Sequence, residues 1–307
     1  MERRSNTAFL AAAREEENYA RTVSYLADRL RQFLRRQERV LICYPDQGQY
    51  GMGNLVSRSV RELGGIPLMW GPDYRWQALL KQAFVSRATA VVGTPLIILG
   101  LAKLARYTST PLYIRNVVLA GAACESWMSE GIRQTLDAFL WGCFDPSPGL
   151  VIGGFSCSQG EGVHLRADLF DVRMEDPSGD ALPDGELGRI ALSSRRRPEL
   201  IYTTGEMARL DRRPCPCGNP SPRLTDFHRD DESVPGLRES LLSWTSILDF
   251  HAVRSSAGLE LEAVYFPGQR LPKFPTCAKR VLRPWNPGTD MPMGLFPKYD
   301  KDFLEKD

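Results

Sequence analysis

"IYTTGEMARLDRRPCPCGNPSPRL", residues 201–224, joins a Thr-Gly-acidic segment to a charged strand and then to two cysteines separated by one proline. It reads either as a nucleotide contact beside a metal knuckle or as a turn followed by two thiols. Taken alone, "YTTGE" (202–206) has the composition of a turn, and "CPCG" (215–218) is stiffened by Pro214 and Pro216. A second pair lies upstream, where "CSQGEGVH" sets Cys157 and His164 seven residues apart in a Gly- and Ser-rich loop. Cys157, His164, Cys215 and Cys217 make a closed tetrahedral set suited to structural zinc if the two segments meet in space. If they do not, they are loop thiols and a solvent-facing histidine. Cys43, Cys124, Cys143 and Cys277 read as ordinary small buried residues.

Upstream, short apolar runs alternate with amphipathic helices. Leu10, Tyr19, Val23, Leu26, Leu30 and Phe33 recur at helical spacing between 5 and 36. The strands "RVLICY" (39–44), "IPLMW" (66–70), "ATAVVG" (88–93) and "RNVVLAG" (115–121) then alternate with helices near 52–63, 74–86, 95–106 and 126–138. This alternation predicts an α/β fold with a parallel sheet wrapped by helices. In such sheets ligands lie beyond the carboxyl ends of the strands, so the loops at 46–53, 93–95, 121–125 and 142–149 are predicted to share one cleft. After Gly149 the chain becomes β-rich, with "LVIGGF", "GVHL", "LFDVRME" and "GELGRIALSS" separated by Gly, Pro, Asp and Ser. The remainder predicts a small C-terminal α+β lobe with a helix near 236–244, the strands "ILDFHAVRS" and "LELEAVYF", and a Pro- and Lys-rich tail. The expected division is a large domain over 1–229 and a small lobe over 230–307.

With 307 residues, 43% hydrophobic and 25% charged, the chain can bury a full core. The net charge of +2 points to neither nucleic acid nor an acidic membrane as partner. Glu15, Glu16 and Glu17 interrupt the start before any long apolar run, which excludes a secretory signal and leads to a cytoplasmic expectation. No P-loop or G-x-S-x-G elbow occurs, and His164, His228 and His251 are the only imidazoles. "DQGQYGMGN" (46–54) has the spacing G-x-x-G-x-G, which suits a tight turn better than a dinucleotide fingerprint. A Rossmann-like transferase built on that loop is the least favoured reading.

The longer stretch "DPSGDALPDGELGRIALSSRRRPELIYTTGEMARLDRRPCPCG" (176–218) resembles a segment of phenylacetate-CoA ligase-like, AMP-forming adenylating enzymes. In that family the segment runs from a "PDGE-GEL" strand-turn through "YRTGD" to "CPCGR". Upstream, "VVLAGAACESW" resembles the family's "GAE" strand and "LWGCFDPS" its "YGLSE" segment; downstream, "HRDD" resembles the "GR-DD" hinge. The resemblance covers about residues 15 to 265, with the motifs in order. It implies an adenylate-forming ligase fold, N-terminally truncated, that converts ATP and a small carboxylic acid to an acyl-adenylate and then to a CoA thioester.

By the same resemblance Gly121, Ala122 and Ala123 line the adenine side of the pocket, and Trp141 and Gly142 stack against the base. Asp145 holds magnesium and the phosphates, Thr204 sits beside the phosphate, and Glu206 accepts from the ribose hydroxyls. Arg229 and Asp230 belong to the hinge, and Cys157, His164, Cys215 and Cys217 match a zinc pattern. The departures are Thr203 in place of an arginine, Asp145 and Glu206 each one methylene away from the family residue, and no Ser/Thr/Gly phosphate loop ahead of the helix near Ser5. Lys273 and Lys279 are catalytic-lysine candidates by location only. The runner-up is a non-catalytic zinc-stabilised module that binds a nucleotide or acyl-CoA. A homodimer, or a partner chain supplying the phosphate loop, is the partner expectation.

Overall fold

The protein was analysed as a computed structural model that describes residues 16–44, 51–122, 124–145, 152–159, 162–195, 198, 201–229 and 236–293. Its first half alternates as the sequence predicts: α1 (Glu16–Leu30), β1 (Arg39–Ile42), α2 (Met52–Glu62), β2 (Ile66–Met69), α3 (Trp76–Val85), β3 (Ala90–Gly93), α4 (Pro95–Tyr107), β4 (Asn116–Leu119), α5 (Ser126–Leu136) and β5 (Phe139–Phe144). Strands β2-β1-β3-β4-β5 are parallel neighbours in that order. Successive side chains point to opposite faces, and in β1, β3 and β4 both faces are buried. Val40, Ile42, Val92 and Val118 pack under α1 and α2. Leu41, Val91, Val117 and Leu119 pack under α3, α4 and α5.

The β-rich half continues the same sheet. Strands β6 (Gly154–Ser156), β7 (Val163–Leu165), β8 (Phe170–Glu175), β9 (Leu187–Ser194), β10 (Ile201–Asp211) and β11 (Arg223–Arg229) add on beyond β5 in the order β6-β7-β11-β10-β9-β8. One eleven-stranded sheet results, parallel up to β5 and antiparallel beyond it where register is defined. The "YTTGE" segment is therefore strand, not turn. It lies within β10, and its pairing to β9 slips between Thr203 and Met207, so its Thr and Gly residues form a bulge.

The C-terminal segment carries α6 (Leu237–Leu242), β12 (Ile247–Ser255), β13 (Gly258–Tyr265) and β14 (Lys279–Pro284). Strand β14 pairs parallel to β13 inside what the sequence reads as a tail. Leu242, Ile247, Leu248, Val264 and Phe266 join the core under α3 to α5, and Tyr107 of α4 stacks on Phe266 at 4.3 Å. Lys103 of α4 is buried, and its ammonium donates to the carbonyls of Leu242 (2.6 Å) and Ile247 (2.8 Å). Burial pulls its pKa down to about 7. Among the described residues no helix is long and apolar enough to cross a membrane.

Candidate functional site

A cavity of about 530 Å³ opens where the parallel strands end; of the four loops predicted to share it, 121–125 and 142–149 contribute, whereas no residue of 93–95 or of the described 51–53 lines it. Ala122 and Cys124 enter from the β4–α5 loop, and Glu125, Ser126, Trp127, Ser129 and Arg133 from the first turns of α5 and the residue before it. Gly142 and Asp145 come from β5 and its carboxyl end, Glu206 from the β10 bulge, and Thr225 to His228 from β11. Among the described residues, five carboxylates, Glu125, Asp145, Glu206, Asp226 and Glu239, face it with one arginine and one imidazole. Such a lining repels a bare polyphosphate and matches a hard divalent cation shared between carboxylate and phosphate oxygens.

Of the predicted nucleotide residues, Ala122, Gly142, Asp145 and Glu206 meet in this cavity. Asp145 is 7% exposed. Tyr202 lies close enough to sense both carboxylates: its pKa is raised by burial, then by Asp145 and Glu206. The Gly142 N–H donates to Ser156 Oγ at 2.9 Å, and a side chain at 142 would press on Val163 at 3.2 Å. Cys124 lines the cavity with its pKa pushed up to about 12 by burial and by Glu125, so it remains a thiol.

Three placements differ from expectation. Trp141 does not face the cavity: its ring stacks on Phe33 at 4.4 Å, and its Nε1 donates to Asn116 at 3.2 Å. Trp141 and Gly142 are neighbours on one strand and must point to opposite faces, so only Gly142 reaches the cleft. Thr204 is buried, and its Oγ1 accepts from the Glu206 N–H at 3.1 Å and contacts the Glu206 carbonyl at 3.2 Å. It holds the bulge that presents Glu206 and does not itself line the cavity. Gly121 stands behind the lining at φ 78°, beneath Tyr44, whose hydroxyl donates to the Ala120 carbonyl at 2.7 Å. Ala123, Asp230 and the side chain of Arg229 fall outside the described residues. Lys273 and Lys279 are exposed.

The knuckle residues do converge. One ligand atom each from Cys157, His164, Cys215 and Cys217 lies within 4.8 Å of every other. The Cys157 and Cys215 sulfurs are 3.8 Å apart, and Cys217 Sγ is 3.3 Å from His164 Nε2. Zinc–sulfur bonds of about 2.3 Å in a tetrahedron give sulfur–sulfur edges of roughly 3.8 Å, far longer than a disulfide. His164 Nδ1 donates to the Ser221 carbonyl at 2.9 Å, which turns the lone pair of Nε2 toward the thiols. Hydrogen bonding, first from the Cys217 backbone, holds Cys215 down to about 6, while burial lifts Cys157 to about 11.

No family profile matches the chain, and no curated protein matches it. Solved structures do. A 2-hydroxyisobutyryl-CoA ligase in the post-adenylation state, bound to an acyl-AMP, superposes with a TM-score of 0.67 at 14% identity, over 91% of this chain and 68% of that one. The fold is that of the AMP-forming CoA ligases. An anthranilate CoA ligase in complex with anthranoyl-AMP gives 0.57 at 13% identity, over 88% of this chain and 61% of that one. A benzoate CoA ligase from Burkholderia xenovorans gives 0.56 at 14% identity, over 93% and 65%. The chain spans between 59% and 68% of the length of the first four matching structures.

Several lining residues escape the sequence reading. Arg133, Ser129 and Glu239 sit on helices whose sequence shows only amphipathicity, and Ser156 is hidden in a three-residue strand. Tyr202, which does not line the cavity but feels its carboxylates, stands inside the "YTTGE" motif, and only the run of strand on both sides of it could have shown which face it takes.

Proposed function

We propose that the chain binds ATP or AMP in the strand-end cavity and activates a small carboxylic acid as its acyl-adenylate, which then passes to CoA as a thioester. The observation that carries this reading is the meeting of Asp145 and Glu206 in one cavity of this fold. In this reading Glu206 accepts from the ribose hydroxyls, held in place by Thr204. Gly142 leaves space for the base to lie against β5, and Ala122 borders it. Asp145 would hold magnesium, which when bound would supply charge neutralisation at the phosphates. Burial of Asp145 in the cavity wall strengthens its pull on a cation by excluding water from one side. The acid's carboxylate then attacks in line, and pyrophosphate leaves. Arg229 and Asp230 are the hinge about which the 230–307 lobe turns between the two half-reactions, and the large domain is 1–229.

Cys157, His164, Cys215 and Cys217 fit a structural zinc ion, which ties the β6–β7 hairpin to the loop after β10. The convergence of these four residues supports a reading within the phenylacetate-CoA ligase-like branch. The reading is of an enzyme working in the cytoplasm, with CoA and the acid as partners. Carboxylate-dependent pyrophosphate–ATP exchange, run with benzoate, anthranilate and 2-hydroxyisobutyrate, tests the activity. Protein that exchanges nothing with these acids yet binds AMP is a nucleotide-binding module, a reading favoured by the inward commitment of Trp141.

A further inference from the structure

The cleft contains one histidine, and the fold goes to some length to hold it. Strands β10 and β11 lose register between the pairs Met207↔His228 and Arg209↔Thr225, where two steps along β10 oppose three along β11. Asp226 takes up the extra residue at φ 55°, a left-handed conformation that aspartate tolerates better than most side chains. As a result four consecutive residues, Thr225, Asp226, Phe227 and His228, all border the cleft, where a regular strand would offer alternate ones. His228 Nε2 lies 3.0 Å from Asp226 Oδ1, and Asp226 Oδ2 accepts from Arg209 Nε at 2.8 Å. Arg209 is anchored in turn on the Gly185 carbonyl at 2.8 Å. Arginine thus fixes the carboxylate, the carboxylate fixes the imidazole, and the ring proton is held on Nε2.

Four other groups are placed or engaged elsewhere. His164 belongs to the knuckle, and His251 is exposed on β12. Glu125 accepts from Trp127 Nε1 and lies 4.0 Å from Arg238. Cys124 is held as a thiol by burial.

We propose that His228 is the general base of the acyl-transfer step, oriented by the positioning residues Asp226 and Arg209. The inference builds on the adenylate reading above. A free thiol with a pKa of about 8.5 is a poor nucleophile until its proton is removed. In the proposed step the CoA sulfur forms a bond to the acyl carbon, and the carbon–oxygen bond to the phosphate breaks. AMP leaves with that electron pair, and the thiol proton passes to His228 Nδ1. Adenylation involves no such proton, because the attacking acid is already a carboxylate.

The two half-reactions can be measured apart. Wild type, His228→Ala and Asp226→Asn would be given ready-made benzoyl-, anthraniloyl- and 2-hydroxyisobutyryl-adenylates with CoA, and in parallel assayed for pyrophosphate–ATP exchange. His228→Ala is expected to lose roughly 100-fold in thioester formation, with exchange unchanged and added imidazole restoring part of the loss. Asp226→Asn is expected to lose less in the same step. Unchanged exchange also reports an intact fold. Thioester formation indifferent to His228→Ala, or both half-reactions falling together without imidazole rescue, would overturn the assignment while leaving the ligase reading standing. Wild type that neither exchanges pyrophosphate nor transfers an acyl group would sink the ligase reading itself, and this step with it.

Discussion

The knuckle and the cleft share strand β10 yet are built in different ways. At its far end the strand runs into Cys215 and Cys217, which close on Cys157 and His164 with all four ligand atoms within 4.8 Å. Near its start the bulge offers Glu206 to an open cavity, and only part of the expected constellation joins it there. A tetrahedral set of soft donors is complete within its own two loops. The cleft recruits from β4, α5, β5, β10 and β11, and each strand must also present the right face. The difference teaches that the knuckle can be intact whatever the cleft does, so the two should fail independently.

The largest expected effect breaks the knuckle alone. Cys215→Ser, or treatment with a strong chelator, should release one zinc per chain and lower Tm by on the order of 10 °C, since metal binding of this kind contributes directly to folding. Metal analysis together with calorimetry checks it, and a wild-type melting curve for the variant would show that the three thiols and His164 hold no structural metal. The next effect breaks the cleft alone. If Asp145 holds magnesium as proposed, Asp145→Asn removes that ligand and keeps the shape, so pyrophosphate–ATP exchange should fall about 100-fold with Tm and zinc content unchanged. A matching loss of Tm would mean that Asp145 serves the fold instead.

How far each region was legible follows from the range of its determinants. Strands β1, β3 and β4 are buried on both faces, so their Val/Ile/Leu runs announce them, and the strand-end cleft follows from topology. "CPCG" and "CSQGEGVH" carry the knuckle within two short loops. Facing, in contrast, depends on strand identity. Reading "LWGCFD" as a motif and not as β5 put Trp141 and Gly142 on the same side, whereas alternation sends Trp141 to Phe33. Reading "YTTGE" as a turn hid the bulge that turns Thr204 onto Glu206. Strand β14 escaped notice because it is mostly exposed and bounded by prolines, which leaves no hydrophobic alternation to detect. The bulge at Asp226 breaks period-two reasoning outright, since no pattern of apolar and polar residues specifies a left-handed aspartate.

A smaller effect sharpens the boundary between presenting and contacting residues. Thr204→Val keeps the volume of the buried side chain and deletes the oxygen that accepts from the Glu206 N–H. Glu206 should then wander by a fraction of an ångström, and AMP should bind about tenfold more weakly by titration calorimetry. Zinc content should not move. Binding unaffected by Thr204→Val would mean that the bulge is held by the β9 and β11 pairings alone.

The smallest effect lies on the joint between the two regions. Asp211 ends β10, and its carboxylate accepts from the Arg213 backbone N–H at 2.9 Å, from the Arg213 side chain at 3.0 Å and from Arg223 at 2.8 Å. These contacts, Arg213 first, hold its pKa at about 2 against the ordinary 3.8. The folded value is depressed, so the unfolded chain binds more protons between the two. The stabilisation is therefore complete above about pH 4 and is lost as pH falls toward about 2. Asp211→Asn should cost about 1 kcal/mol at neutral pH, a modest figure because Arg213 is solvent-exposed, and should flatten the acid limb of the Tm–pH curve over that window. Because Arg213 leads directly into Pro214 and Cys215, the same variant tests whether the knuckle depends on the strand that carries Glu206. Zinc affinity unchanged alongside a flattened acid limb would confirm that the knuckle is independent of β10's ion pairs, whereas a loss of zinc would tie it to the strand.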